Sequence, residues 1–319
     1  MIATAKYPPT VYPGVDRERL HRLGYTIVKR LFAREEMEAL REQAIGALER
    51  LEERGLLLTE ETSEGVARYS RCEVLGIPEV RQVALDARMV GVMSELLGGR
   101  PAYYGDSVLR MGSNGVRGWH RDCADRRRFR DGLDWHDPYP LLRCGLYMQD
   151  HAHRAGGLAI RPRSHRREFH IRSLPTLVNA EMGDLVVWDG RTMHSGEVVR
   201  LRPLPAIALP ARVQSRVPQG LRHALPAIPL PPRVQTRVPQ ALRRGEERER
   251  VVIFMSYALP GPHLDHYIEF LRTRKQNREL WGTSRFGPEV REQAKQAGLD
   301  VLYPIPEFGT PQEASLLQA

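Results

Sequence analysis

Apolar residues recur at helical spacing near the start of the chain. Across residues 33–54 they fall at three- and four-residue intervals with charged residues between them, which predicts an amphipathic helix. A second helix is predicted over residues 78–97, where two glycines end the apolar pattern. The pattern therefore predicts a helical N-terminal support over residues 18–100.

The spacing changes to that of short strands in the middle of the chain. Gly, Pro and Asp separate apolar, β-branched runs, an arrangement typical of a barrel or a sandwich. These runs cover residues 102–111, 142–148, 157–160, 185–188 and 251–257. A helical tail is predicted over residues 262–319. The pattern thus predicts one α+β domain over residues 1–319, with a mainly β core at residues 101–260.

The positive charge is concentrated in an internal repeat. Residues 204–224 and 225–245 are identical at 15 of 21 positions and carry seven arginines but no Lys, Asp or Glu. The net charge of +9 falls to 9 − 7 = +2 without them, so the rest of the chain is nearly balanced. Several prolines disfavour a helix or a central strand, which predicts a tandem loop insertion. The alternative is a basic arm that docks an anionic partner.

Composition excludes several classes of protein. With 41% hydrophobic and 27% charged residues, the chain resembles an ordinary globular protein. It has neither the ~20-residue apolar run of a membrane helix nor the apolar segment of a signal peptide. Its three cysteines lack a CxxC spacing, which argues against a disulfide framework and favours the reducing cytoplasm.

Two histidines and one aspartate form a candidate metal site. His120 and Asp122 lie two residues apart, so on a strand they point to the same face while Arg121 points away. The predicted strand over residues 183–188 is followed by His194, which could supply a third ligand. Such a set is the facial triad of iron(II) oxygenases, which leaves coordination positions for a 2-oxo acid and O₂.

A 2-oxo acid with a distal carboxylate also needs a cationic anchor. Arg250 begins the best predicted strand after His194, and the two lie 250 − 194 = 56 residues apart, or 14 without the 42 repeat residues. Because its planar fork suits a carboxylate, Arg250 is the preferred anchor and Arg248 the reserve. Arg200 and Arg202 are nearer to His194, but they lead into the repeat.

The chain resembles the phytanoyl-CoA dioxygenase family of 2-oxoglutarate oxygenases over most of residues 18–260. The segments that carry the resemblance are LGYTIV at 23–28, WHRD at 119–122, GGLAIRPRSH at 156–165, HSG at 194–196 and Arg250. Two positions depart from the family pattern, because Gly156 stands where the family often has Asn and Arg163 where it usually has Gly. The repeat also lengthens the usual interval between the distal histidine and the arginine.

The resemblance implies a double-stranded β-helix, the cupin-like jelly-roll barrel, with helices packed on one side. It implies that His120, Asp122 and His194 bind Fe(II), that Arg250 binds the distal carboxylate of 2-oxoglutarate, and that Ser195 assists. Ascorbate is the expected activator in vitro. A small-molecule substrate, such as a secondary metabolite or an acyl thioester, would be hydroxylated with release of succinate and CO₂.

The sequence also allows other interpretations. His151 and His153, with His165 and His170 nearby, could form a cupin-type metal pair, but no suitably spaced Glu follows. Residues 134–137 could belong to a substrate lid, and the arginines at 126–128 could meet an anionic substrate.

The repeat could serve a nucleic-acid-binding or demethylating protein, although no aromatic platform accompanies it. A binding module built on an inactive barrel is a third class. A small molecule is the expected partner, in preference to nucleic acid or a membrane.

Overall fold

The computed structural model describes eight parts of the chain, all within one compact unit. They are residue 12 and residues 14–62, 65–112, 118–124, 131–150, 157–168, 173–196 and 249–310. The repeat, Arg248, the arginines at 126–128 and the histidines at 151, 153 and 170 lie outside these ranges. Within them, no helix combines the length and apolar character that crossing a bilayer requires.

Helices lie at both ends of the chain and strands occupy its middle. The helices are α1 (Arg17–Leu23), α2 (Arg34–Glu53), α3 (Arg81–Leu85), α4 (Ala87–Leu97), α5 (Pro262–Thr273), α6 (Lys275–Thr283) and α7 (Pro288–Gln296). The strands are β1 (Tyr25–Val28), β2 (Leu57–Thr62), β3 (Gly65–Ser70), β4 (Ala102–Tyr103), β5 (Val108–Gly112), β6 (Leu141–Tyr147), β7 (Leu158–Ile160), β8 (Thr176–Val178), β9 (Leu185–Asp189), β10 (His194–Ser195), β11 (Val251–Ala258) and β12 (Asp300–Val301).

The strands form two sheets that together make a jelly-roll. The large sheet runs β1-β9-β6-β11-β5-β3-β2, with β4 paired to β11 and β12. The small sheet has the order β10-β7-β8. Strand β11, which follows the repeat in sequence, lies between β6 and β5, so the chain returns to the middle of the sheet. The predicted α+β class with a jelly-roll core is confirmed.

Both faces of the large sheet are buried. One face contributes Leu146 and Met255 to the main apolar cluster, which also contains residues of helices α2 and α4. The opposite face contributes Trp188 and Val252 to a second cluster, together with Ile160 of the small sheet. Double burial explains the nearly continuous apolar sequence of the central strands. It also makes a charged residue inside one of them conspicuous.

The structure differs from the predicted pattern in four places. The helix predicted over residues 78–97 is two helices, because Asp86 is extended and its side chain accepts a hydrogen bond from the Arg88 amide as the cap of α4. The run at 102–111 forms two strands, β4 and β5. A hairpin, β2–β3, extends the sheet from within the predicted helical support. The C-terminal tail contains three separate helices.

The turn between α1 and β1 depends on a glycine. Gly24 ends α1 with a φ of 84°, and its carbonyl accepts hydrogen bonds from the Asp189 amide (3.0 Å) and the Thr192 hydroxyl (2.8 Å). A Cβ atom there would lie 2.5 Å from both His165 Nδ1 and Thr192 Oγ1. Only glycine tolerates that backbone conformation and that close approach. The N-terminal turn is thereby fixed against the segment that leads to His194.

Glu73 is a carboxyl group buried inside the main apolar cluster. It accepts hydrogen bonds from the Tyr103 and Ser107 hydroxyls and from the Ser107 amide, the last at 2.6 Å. Burial raises the pKa of Glu73 from 4.5 to about 7, although these hydrogen bonds oppose the rise. The fold therefore favours the protonated carboxyl.

Replacing Glu73 with Gln should make stability less dependent on pH. Since the folded-state pKa is raised, the stabilisation from Glu73 is complete below about pH 4.5 and is lost as the pH rises through about 7. The amount is on the order of 3 kcal/mol. In thermal unfolding, the Tm of the variant should therefore rise relative to that of the wild type between these two pH values.

Glu53→Gln, at an exposed carboxylate at the end of α2, is the matched control and should leave the pH dependence unchanged. Parallel curves of Tm against pH for the wild type and Glu73→Gln would contradict the expected result.

Candidate metal centre

The backbones of His120 and His194 lie side by side as an antiparallel pair. The His120 amide donates to the His194 carbonyl (3.0 Å), and the His194 amide donates to the His120 carbonyl (2.9 Å). Residues directly opposite each other in such a pair point to the same face. Their imidazole centroids are consequently 4.3 Å apart, although the residues are distant in sequence.

Backbone carbonyls determine which nitrogen of each imidazole is available. Nδ1 of His120 lies 2.8 Å from the Gly118 carbonyl, and Nδ1 of His194 lies 2.9 Å from the Thr192 carbonyl. Since a carbonyl oxygen only accepts hydrogen bonds, each Nδ1 must carry the hydrogen. In the neutral ring, Nε2 then has a free lone pair. This arrangement is typical of histidines that bind metals.

Asp122 supplies the carboxylate between the two imidazoles. Its Oδ1 lies 4.0 Å from His120 Nε2, and its Oδ2 lies 3.3 Å from His194 Nε2. The Trp188 indole donates a hydrogen bond to Oδ2 (3.4 Å). Burial alone would raise the pKa of Asp122, but His194 and Arg143 hold it well below its usual range. The group is therefore an anion at neutral pH.

His120, Asp122 and His194 together fit a metal ion. One ligand atom from each lies within 4.8 Å of the others. The side chains of His194, Asp122 and His120 are 6%, 16% and 32% exposed, so the site opens on the side of His120. Two imidazole nitrogens and one carboxylate oxygen on one side of an ion are the donor set of a facial triad.

Arg121 connects the segments that carry the ligands. Its Nε donates to the Arg191 carbonyl (2.8 Å), and its Nη2 donates to the Ser164 carbonyl (3.2 Å). Ser164 in turn accepts a hydrogen bond from the Met193 amide, next to His194. Residues 163–165 (Arg-Ser-His), which end the segment at 156–165, therefore have a structural role. They hold His194 in place through the contacts of Ser164.

The inner face of the large sheet leads away from the metal ligands. Cross-strand pairing places Arg143 between Trp188 and Ser256, and one step further it places Gly145 beside Phe254. A Cβ atom at Gly145 would lie 3.1 Å from the Phe254 ring. The rings of Phe254 and Tyr147 therefore pack closely over Gly145, about 7 Å from the level of Arg143, where a larger side chain would not fit.

Arg250 lies against the same two rings. Its Cζ is 5.5 Å from the centroid of the Tyr147 ring and 5.7 Å from that of Phe254. Its Nε and Nη1 atoms are buried and have no hydrogen-bond partner among the described residues. Burial lowers the pKa of Arg250 from its very high usual value. A buried cation with unused donors on the wall of a cavity fits the carboxylate of an elongated diacid.

One cavity connects these groups. It measures about 1300 Å³ out to the solvent at its mouth, and its walls include His120, Asp122, His194, Arg143 and Arg250. Its remaining wall comes mainly from the hairpin β2–β3 and from helix α6. The metal ligands and the arginine predicted to bind the co-substrate thus share a cavity.

Other predicted residues lie elsewhere. Ser195 is buried in the ladder with Ala159 and does not line the cavity. Asp134, from the proposed lid, is buried and accepts a hydrogen bond from the Ala124 amide (2.8 Å), while Asp137 pairs with Arg191 (2.9 Å). These two aspartates therefore support the loops behind the ligands.

Sequence reasoning missed Arg143, Gly145 and Trp188. A lone arginine in the otherwise apolar strand β6 was a usable signal, since a buried charge requires partners. The alternation along β6 would then have placed Gly145 on the same face. Nothing in the sequence identified the strand that lies beside β6, so the contact of Trp188 with Asp122 required the structure.

Comparison with known protein families identifies this combination of fold and site. The family model described as Phytanoyl-CoA dioxygenase (PhyH) matches residues 20–200, more than half of the chain. The chain belongs to the phytanoyl-CoA dioxygenase family. It is therefore a 2-oxoglutarate-dependent oxygenase by family, and the resemblance predicted from the sequence is confirmed. At the family level, the predicted iron and 2-oxoglutarate are confirmed as well.

Solved structures are similar to this chain at low sequence identity. EvdMO1 is similar with a TM-score of 0.50 and 15% identity, over 77% of this chain and 49% of that protein. The α-ketoglutarate-dependent epimerase SnoN from nogalamycin biosynthesis has a TM-score of 0.48 and 14% identity, over 76% and 80% of the two chains. EctD from S. alaskensis, solved with 2-oxoglutarate and 5-hydroxyectoine, has a TM-score of 0.47 and 16% identity, over 81% of this chain and 78% of that protein. A search of curated proteins gave no match.

Removal of any one ligand should abolish tight metal binding. His120→Ala, Asp122→Ala and His194→Ala each leave two donors, so the Kd for Fe(II), or for Co(II) as a spectroscopic substitute, should rise at least about 100-fold. Anaerobic titration measures it without turnover. His136→Ala, at an exposed histidine nearby, is the control and should bind like the wild type. Retention of wild-type affinity by two of the three ligand variants would show that the metal binds elsewhere.

Proposed function

We propose that the protein is an Fe(II)- and 2-oxoglutarate-dependent dioxygenase that hydroxylates an unactivated C–H bond of a small molecule. One observation carries the proposal: three ligand atoms converge in a cavity that also contains a buried arginine with unused donors. Succinate and CO₂ would be the products from the co-substrate.

His120, Asp122 and His194 would hold the iron. When bound, iron with 2-oxoglutarate and O₂ supplies the oxidant for the C–H bond. The two imidazoles would bind through Nε2, because their Nδ1 hydrogens bind backbone carbonyls. Asp122 would contribute the single negative charge, and the Trp188 hydrogen bond would fix its rotation.

Arg250 would bind the distal carboxylate of 2-oxoglutarate. Its guanidinium lines the same cavity as the iron ligands, so a five-carbon diacid could extend through this cavity from Arg250 towards them. The surrounding rings of Tyr147 and Phe254 exclude water, which strengthens a charge-assisted hydrogen bond. This arrangement supports 2-oxoglutarate over shorter 2-oxo acids.

The substrate would enter along the wall made by β2–β3 and α6. Leu58 and Tyr69 of the hairpin and Asn277 and Leu280 of the helix line this part of the cavity. The wall combines apolar surface with polar groups, as is typical of small-molecule sites. Asp122 supports hydroxylation over halogenation, because the carboxylate would occupy the position that a halide ligand needs.

The decisive assay is formation of succinate from 2-oxoglutarate with Fe(II), ascorbate and O₂. The wild type should release succinate slowly without a prime substrate, and faster when a compound from a screen couples to turnover and gains one oxygen atom by mass spectrometry. A wild-type protein that binds iron but releases no more succinate than Asp122→Ala would refute the proposal.

Arg250→Met should weaken the binding of 2-oxoglutarate without affecting the binding of Fe(II). Loss of a buried charge-assisted pair, about 2–3 kcal/mol, should raise the KM for 2-oxoglutarate roughly 30- to 150-fold while the Kd for Fe(II) stays the same. Arg100→Met, at an exposed ion pair with Asp300, is the control. Equal values of KM in the two variants would remove Arg250 from the co-substrate site.

Deleting residues 204–245 should leave the catalytic unit active. The deletion restores a 14-residue separation between His194 and Arg250, which a barrel hairpin can span. We therefore expect iron binding and uncoupled succinate formation within a few-fold of the wild type. A folded deletion variant that no longer binds Fe(II) would show that the repeat belongs to the catalytic unit.

A further inference from the structure

Arg143 contacts the carboxylate of the candidate metal site. It lies on strand β6, its side chain is only 12% exposed, and its Nε is 3.4 Å from Asp122 Oδ2. The Trp188 indole donates to the same oxygen. The Arg143 cation, at ion-pair distance, and the Trp188 hydrogen-bond donor therefore both lie against Oδ2, while Oδ1 faces His120.

Arg143 is itself fixed from the opposite side. Its Nη1 donates to Asp106 Oδ2 (2.6 Å), to the Asp106 carbonyl and to the Ser256 hydroxyl. Burial alone would lower the pKa of Arg143, but Asp106 and Asp122 raise it. The guanidinium is thus a permanent cation that bridges two carboxylates.

The C-terminal helices hold Asp106 in turn. Asn277 of α6 donates to Asp106 Oδ1 (3.2 Å), and the Tyr267 hydroxyl of α5 donates to Oδ2 (3.4 Å). Both helices lie beyond residues 20–200, where the family model matches. A continuous series of contacts therefore links the C-terminal helices to Asp122.

From these contacts we infer that Arg143 is a positioning residue that holds Asp122 in the orientation required to bind iron. This inference rests on the proposed function. A free carboxylate rotates and can present either oxygen, whereas contacts from Arg143 and Trp188 keep Oδ2 in place and direct Oδ1 towards the imidazole of His120. Outer contacts of this kind commonly change metal affinity 10- to 100-fold. The C-terminal helices would thereby contribute to the metal centre without supplying a ligand.

Two variants separate orientation from charge. Arg143→Lys keeps the positive charge but has one nitrogen, which cannot serve both Asp106 and Asp122. The double variant Arg143→Met, Asp106→Asn removes one charge of each sign and leaves the net charge of the site unchanged. Arg88→Lys is the matched control, because Arg88 also bridges two carboxylates, those of Asp86 and Glu36, away from the cavity.

The measurements are anaerobic Fe(II) and Co(II) titrations and the visible spectrum of the Co(II) protein, whose intensity reports coordination geometry. We expect the Fe(II) Kd to rise about 10-fold or more in both Arg143 variants, with an altered Co(II) spectrum and no change in Arg88→Lys. Thermal unfolding verifies that each variant is folded. If Arg143→Lys does not fold, the double variant provides the test.

Two outcomes would overturn the inference. One is a folded Arg143 variant with wild-type metal affinity and an unchanged Co(II) spectrum. The other is a rise confined to the Kd of 2-oxoglutarate at saturating metal, which would make Arg143 a co-substrate ligand instead. In both cases the wild type still binds iron, so the proposed function stands. A wild type that binds neither metal would refute the proposed function itself.

Discussion

The paired backbone hydrogen bonds between His120 and His194 set the geometry on which the site depends. They bring two distant segments into register at a single point, so both imidazoles face the same way. A shift of one residue would turn one of the rings to the opposite face. The contacts of Arg121 and Gly24 gain their importance from this requirement, because they fix the two segments on either side of the pair.

The interior of this barrel contains two buried arginines, Arg143 and Arg250, which differ in the partners of their guanidinium groups. Arg143 donates hydrogen bonds to Asp106 and lies at ion-pair distance from Asp122, so a carboxylate on each side offsets its burial. Arg250 has two buried nitrogens without a partner among the described residues. An unpaired buried cation destabilises a fold unless a ligand completes it. The contrast distinguishes a residue that maintains the site from one suited to receive an anion.

The sequence was informative where the signal was local. The alternation of His120 and Asp122, and the strand that precedes His194, were sufficient to predict which side chains converge, because side-chain direction on a strand follows from position alone. Helix α2 was predicted from a local signal as well, because its apolar residues recur at helical spacing. The hairpin β2–β3 was missed because its strands are largely polar and lack a clear apolar alternation. The role of Arg143 was missed because it depends on which strands lie side by side, which is a non-local property.

The pairing of β11 determines where the chain returns to the large sheet after β10. This strand lies between β6 and β5 and brings Arg250, so the segment between β10 and β11 must begin and end at the barrel whatever its length. The repeat lengthens the separation from 14 to 56 residues, or two doublings. Loop-closure entropy for two doublings is about 1.2 kcal/mol, less than the cost of one unsatisfied buried charge. The strand pairing of β11 therefore determines where Arg250 lies, whatever the length of the segment that precedes it.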